Sequence, residues 1–141
     1  MDFSELNLSE NILNAIKNKG FEKPTDIQMK VIPLFLNDEC NIVAQARTGS
    51  GKTASFAIPL IELVNEDTLE AIILTPTREL AIQVADEIES LKGNKNLKIA
   101  KIYGGKAIYP QIKALKTANI VVGTPGRILD HINRGTLNLK N

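Results

Sequence analysis

The run Ala46-Arg47-Thr48-Gly49-Ser50-Gly51-Lys52-Thr53 constrains this chain more than any other stretch. It fits a phosphate-binding loop, with Ala46 where that pattern most often carries Gly. Gly49 and Gly51 let the backbone curl so that successive N–H groups point inward at phosphate oxygens. Lys52 brings a point charge to the β- and γ-phosphates, and the Thr53 hydroxyl is a ligand for Mg²⁺. A helix following the loop adds its N-terminal dipole. Asn41-Ile42-Val43-Ala44 reads as a short buried strand before the loop, and the residues from Thr53 to Ile58 read as a helix start. The plainer reading is a strand-to-helix turn that uses glycine for its geometry; the strand–loop–helix setting favours the phosphate loop.

The rest of the chain repeats the same alternation of short apolar strands and amphipathic helices, which argues for a parallel sheet covered by helices. Strands are expected at Asn41–Ala44, Ala71–Leu74, Lys98–Tyr103 and Ile120–Gly123. Each runs into a turn signal, and in open α/β sheets ligands bind beyond the carboxyl ends of the strands. Ser9 is placed to cap a helix that runs to Lys19 and stops at Gly20. Thr77 is placed to cap a helix with Leu80, Val84, Ile88 and Leu91 on one face, with Gly93 after it. Pro125 and Gly135 bracket a third helix. Pro59 lies inside the helix after the phosphate loop, where a kink or an early end is expected. No internal repeat, linker or low-complexity tract is visible.

Composition narrows the class. A chain of 141 residues with 43% hydrophobic and 23% charged content is about one globular domain. It holds no apolar run long enough for a membrane helix, and its N-terminus does not resemble a signal peptide. Cys40 is the single cysteine. It excludes an intrachain disulfide and a cysteine-based zinc site, fits a reducing, cytoplasmic setting, and reads as a semi-buried small hydrophobe. A net charge of +1 is not the bulk basicity of a general nucleic-acid binder, so such contacts must come from local placement. His131, the only histidine, falls among Ile128, Leu129 and Ile132 and reads as structural or surface rather than catalytic.

Three further clusters carry chemistry. Gly20-Phe21-Glu22-Lys23-Pro24-Thr25-Asp26-Ile27-Gln28 reads plainly as a helix stop, a turn and a capped helix. Functionally, a glutamine amide offers one donor and one acceptor, which match adenine N7 and N6, and Phe21 could stack on a base. Pro76-Thr77-Arg78-Glu79-Leu80 is the second. Thr124-Pro125-Gly126-Arg127 is the third, joined by Gly104-Gly105. Helix N-termini, threonine hydroxyls and arginine forks suit phosphate groups. Each alone is explained by a capped helix or a turn.

In their order and spacing these signals resemble the DEAD-box RNA helicases. The Gln28 segment resembles the family's Q motif, with Phe3 placed like its isolated upstream aromatic. Ala46–Thr53 is similar to motif I, Pro76–Leu80 to motif Ia, Gly104-Gly105 to the GG element and Thr124–Arg127 to motif Ib. The resemblance spans Phe3 to Arg127. It implies a RecA-like P-loop fold, with residues 1–141 forming part of an ATP-binding helicase domain whose later strands are missing. It implies ATP and Mg²⁺ as cofactors and RNA as substrate. Gln28 and Phe21 take the adenine roles, and Thr48, Gly49, Ser50, Gly51, Lys52 and Thr53 the phosphate roles, with Thr53 on the metal. Pro76, Thr77, Arg78, Gly104, Gly105, Thr124, Pro125, Gly126 and Arg127 fall where the family meets the RNA sugar–phosphate backbone, which carries little sequence information.

The chain departs from the pattern too. The Asp-Glu-Ala-Asp segment, the Ser-Ala-Thr element and a second RecA-like domain do not occur in it. Phosphoryl transfer needs an acid for the metal, a group to orient the attacking water and an arginine finger, and none can be assigned. The 141 residues alone are therefore expected to bind nucleotide and hydrolyse it poorly. Without later strands, the strand at Asn41–Ala44 is expected to present an open edge that invites self-association. Two other readings compete. A different P-loop enzyme, such as a small kinase, leaves Gln28 and the Thr124–Arg127 segment unexplained. A non-catalytic module that binds RNA or a protein partner and keeps the loop as scaffold predicts no nucleotide affinity.

Overall fold

The computed structural model describes residues 1–37 and 39–140. The chain forms two compact units. The first comprises Met1–Leu63 with Glu87–Lys95, and the second Val64–Asp86 with Asn96–Asn141.

The first unit is helical. A 3₁₀ turn at Phe3–Glu5 precedes α1 (Glu10–Asn18), α2 (Asp26–Asn37) and α3 (Lys52–Leu63). Ser9 caps α1 as expected, its hydroxyl accepting from the Ile12 N–H, and Gly20 after the helix has φ +83°. α2 packs on α3, and the core takes Ile12, Ile16, Ile32, Ile58 and Ile61, all 2% exposed or less. Burial of one such side chain contributes about 1.5–3 kcal/mol. Pro59 does not end α3, which continues to Leu63 with Pro59 buried inside it. The ring removes one helical hydrogen bond. Burial of Ile58 and Ile61 on either side outweighs that loss. At the far end of α3, Lys95 Nζ donates to the carbonyls of Ile61 (2.5 Å) and Glu62 (3.2 Å), meeting two acceptors that the helix end leaves open.

Two expectations fail in this unit. Asn41–Ala44 is not a strand, and Val43 is fully exposed. A strand exists only through ladder bonds to a neighbour, and an apolar run of four residues does not specify one. With no strand there, no ladder edge arises at that point for self-association. Cys40 is exposed rather than semi-buried.

The second unit is α/β. It carries β1 (Ala71–Leu74), the first turns of α4 (Arg78–Leu91), β2 (Ile99–Ile102), α5 (Ile108–Leu115), β3 (Ile120–Gly123) and α6 (Pro125–Arg134). The sheet is parallel, in the order β1-β3-β2. Ile120 sits opposite Ala71 on one side and Ile99 on the other. β3 is buried along its whole length, as its unbroken apolar run requires of a central parallel strand. Val121, Ala100, Ile102, Leu115, Ile128 and Leu137 form the core. Asn119, 2% exposed, fastens the start of the sheet: its Oδ1 accepts from the Lys98 N–H (2.9 Å) and its Nδ2 donates to the Thr68 carbonyl (3.0 Å). Among the described residues no helix is long and apolar enough to cross a membrane.

Candidate functional site

The Gln28 segment and the glycine loop meet in the first unit. An open cavity of about 520 Å³ is lined by Gly20, Phe21, Glu22, Lys23, Thr25, Gln28, Gly49 and Gly51. Gln28, 3% exposed, is the joint. Its Oε1 accepts from the Thr25 N–H at 3.0 Å, capping its own helix, and its Nε2 donates to the Gly51 carbonyl at 3.2 Å. Each atom keeps spare capacity, since an amide oxygen has two lone pairs and an amide nitrogen two hydrogens. One acceptor and one donor remain, the complement of adenine N6 and N7. Phe21 lines the same cavity, and one face of its ring carries the Lys19 ammonium, 5.5 Å from the centroid. Lys19 is itself held by an ion pair to Glu87 and a hydrogen bond to Ser90. Phe3 is buried and lines a neighbouring hollow with Gly20 and Phe21, so the upstream aromatic supports the segment rather than entering the cavity.

The loop has the shape that a phosphate cradle needs. Gly49 and Gly51 adopt φ +81° and +83°, and a turn bond joins the Ser50 N–H to the Arg47 carbonyl. Ser50 Oγ is buried without a hydrogen-bond partner. Such an orphaned hydroxyl beside a curled backbone fits an anion. Lys52 is exposed at the first residue of α3, and Thr53, half-buried, follows it. Gly49 and Gly51 line the cavity; Thr48, Ser50, Lys52 and Thr53 lie outside its lining.

The second set of expected residues assembles in the other unit, at the carboxyl ends of its strands. The Thr75 N–H bonds to the Gly123 carbonyl and the Thr124 N–H to the Ile102 carbonyl, both at 2.9 Å, so the ladder carries on into the site segments. Thr77 caps α4, its hydroxyl accepting from the Leu80 N–H at 3.2 Å. Arg78 is exposed, with its guanidinium 5.4 Å from the centroid of the Tyr103 ring. Pro76 is exposed beside them, as are Gly104 and Gly105 in the turn after β2. Thr124 caps α6 with backbone alone and makes no side-chain cap bond, and Pro125 occupies the first turn. Its hydroxyl and the N–H groups of Gly126 and Arg127 are thus left at a positive helix end.

Arg127 does more than the sequence indicates. Its Nη1 donates to the Lys106 carbonyl and to Gln111 Oε1, both at 3.1 Å, so it ties the glycine turn to α6. Gln111 is the hub of this network: Nε2 donates to the Tyr103 carbonyl (2.8 Å), and Oε1 also receives His131 Nε2 (3.0 Å). His131, fully buried, meets Thr136 Oγ1 through Nδ1 at 2.8 Å. Sequence reasoning missed Gln111; its only signal was a polar residue on the apolar side of a short helix.

Burial, then the neighbouring Arg127 and Arg134, hold the His131 pKa below its ordinary 6.5, with Asp130 opposing them. The unfolded chain therefore binds a proton more readily, and stability falls as pH drops below about 6.5. Thermal midpoints between about pH 7 and pH 5 should fall more steeply for the parent than for His131→Gln. Parallel slopes would discount the histidine.

Comparison with known proteins follows the same lines. The family model for the DEAD/DEAH box helicase matches residues 25–141. A Methanocaldococcus jannaschii protein described as a probable ATP-dependent RNA helicase is 93% identical, the match covering 100% of this chain and 39% of that protein. The crystal structure of a DEAD box protein from the hyperthermophile Methanococcus jannaschii superposes with a TM-score of 0.98 at 93% identity, over 100% of this chain and 39% of that one. Dbp5 of S. cerevisiae, bound to RNA and ADP BeF3, superposes with a TM-score of 0.88 at 32% identity, over 98% of this chain and 35% of that one. The chain thus spans between about a quarter and two fifths of the length of the relatives it matches.

Proposed function

This chain belongs to the DEAD/DEAH box helicase family, and from that premise we propose that it forms the ATP-binding and RNA-gripping part of an ATP-dependent RNA helicase of the cytoplasm. The observation that carries the nucleotide reading is the Gln28–Gly51 hydrogen bond, which joins an adenine-reading amide to the phosphate loop across one cavity. The spare donor and acceptor of Gln28 select adenine. The Phe21 face opposite Lys19 stacks on the base, since an aromatic ring favours an offset partner on its free side. Gly49 and Gly51 supply N–H groups and Ser50 its unpartnered hydroxyl to the phosphates, joined by Lys52. When bound, ATP supplies the phosphoanhydride whose cleavage drives strand remodelling. Among the described residues no cluster of three or more histidines, cysteines or acids could hold a metal ion. The Thr53 hydroxyl would be the protein group to hold Mg²⁺, together with phosphate oxygens of the nucleotide.

On the nucleic-acid side, Arg78, the free Thr124 hydroxyl and the open N–H groups at α6 take phosphates of one RNA strand. Arg127 acts chiefly by fixing the Gly104-Gly105 turn against α6. Equilibrium titrations test both halves. ATP should bind more tightly than GTP, and Gln28→Ala should remove roughly tenfold or more of the ATP affinity and little of the GTP affinity. Arg78→Ala should weaken RNA binding equally across sequences and lower the salt slope by about one. Equal affinity for ATP and GTP would overturn the adenine assignment, and a sequence-dependent Arg78 effect the backbone assignment.

A further inference from the structure

From Leu91 to Leu129 the chain carries seven lysines and one arginine, and no aspartate or glutamate, in a protein whose net charge is only +1. Four of these lysines surround α5. Lys101, in the edge strand β2, and Lys106, in the glycine turn, line an open groove of about 400 Å³ with Tyr103, Pro110 and Ala114. Lys113 and Lys116 line the hollow on the other side of α5, with Tyr109, Pro110 and Ala114 again in its wall. Because Pro110 and Ala114 belong to both, the two hollows flank a single ridge. All four lysines are exposed, and Tyr109 shows 80% of its surface. One lysine on an edge strand is explained as protection against strand pairing, which leaves the other three and the exposed ring unexplained.

We infer that this α5 face is a second RNA-binding surface, which takes a single-stranded segment running on past the Gly104-Gly105 turn. The inference rests on RNA being the substrate, as proposed above. Its chemistry is that of sequence-tolerant single-strand sites: ammonium groups that follow the phosphates and an aromatic ring on which a base stacks. Lys106 adjoins the glycine turn in sequence and joins the face to the first site. Both hollows are open to solvent, which suits a flexible polyanion.

The experiment compares the full chain with a variant carrying Lys101→Gln, Lys113→Gln and Lys116→Gln, which leaves Lys106 of the glycine turn in place, and separately with Tyr109→Ala. The probes are a short oligouridylate that fills only the Thr77–Arg127 site and a long one that extends beyond it. Three phosphate contacts on a single strand add about 2.1 to the salt slope, so from 50 to 200 mM salt the parent should lose about 20-fold more affinity for the long probe than the lysine variant does. The short probe should bind both equally. Tyr109→Ala should weaken the long probe about tenfold with the slope unchanged. Arg78→Ala, which belongs to the first site, should weaken both probes. If the lysine variant binds the long probe with the parent's affinity and slope, the inference is overturned while the first site stands. If the parent instead binds polyglutamate and the lysine variant does not, with RNA binding unaltered, the face belongs to an acidic protein partner. If neither probe responds to Arg78→Ala, the underlying RNA reading fails first.

Discussion

Gly51→Ala should lower ATP affinity by about a hundredfold or more, against roughly tenfold for Gly49→Ala. Both positions have a left-handed backbone, φ +81° at Gly49 and +83° at Gly51. A side chain there costs about 1–2 kcal/mol, roughly a factor of ten. The two differ in their surroundings. A methyl group on Gly49 meets nothing within 4 Å, whereas one on Gly51 would lie 2.4 Å from Gln28 Nε2. Gln28 must then move, and both its bond to the Gly51 carbonyl and its reading of adenine go with it. Calorimetric titration of ATP separates the two: equal losses at the two glycines would show that the Gln28 contact contributes nothing to nucleotide binding.

Gly123→Ala should be the most damaging small substitution for the sheet. A methyl group there would sit 2.3 Å from the Ile102 carbonyl oxygen and 2.8 Å from Ile128 Cδ1. The oxygen belongs to a ladder: it accepts from the Thr124 N–H at 2.9 Å. Backbone cannot swing aside as a side-chain tip does, so the strand must shift within a close-packed core. A loss of about 3 kcal/mol is expected, with a thermal midpoint lower by roughly 10 °C. Gly126→Ala is the control, since nothing lies within 4 Å of that position. A Gly123→Ala chain that melts like the Gly126→Ala chain would contradict the packing described.

Much of the fold was legible because its signals are local. Ala71–Leu74 and Ile120–Gly123 were expected as strands and are strands with those bounds. Ser9, Thr77, Pro125 and Gly135 mark helix ends because capping is a contact of three or four residues. The failures were all questions of partnership. Asn41–Ala44 looks like a strand, but strand identity lies in the neighbour. Cys40 reads as a semi-buried small hydrophobe, but burial depends on what folds over it, and it is exposed. Of the kink or early end expected at Pro59, the early end does not occur: the helix runs on to Leu63 among buried neighbours. In the site, residue types revealed Gln28 and the glycine loop, since adenine and phosphate demand those groups. That Arg127 is spent on Lys106 and Gln111 could not be read, because those partners are 21 and 16 residues away in sequence.

The strand order β1-β3-β2 sets when this sheet can exist. The central strand is the last of the three to be made on the ribosome. Until Ile120–Gly123 emerges, β1 and β2 have no neighbour in common and no ladder to join. β2 and β3 are consecutive and pair through α5, whereas β1 skips β2 and must wait for the more distant β3, a non-local pairing that is slow to form. During that interval the apolar runs at Ala71–Leu74 and Ile99–Ile102 stand unpaired, open to association with other chains.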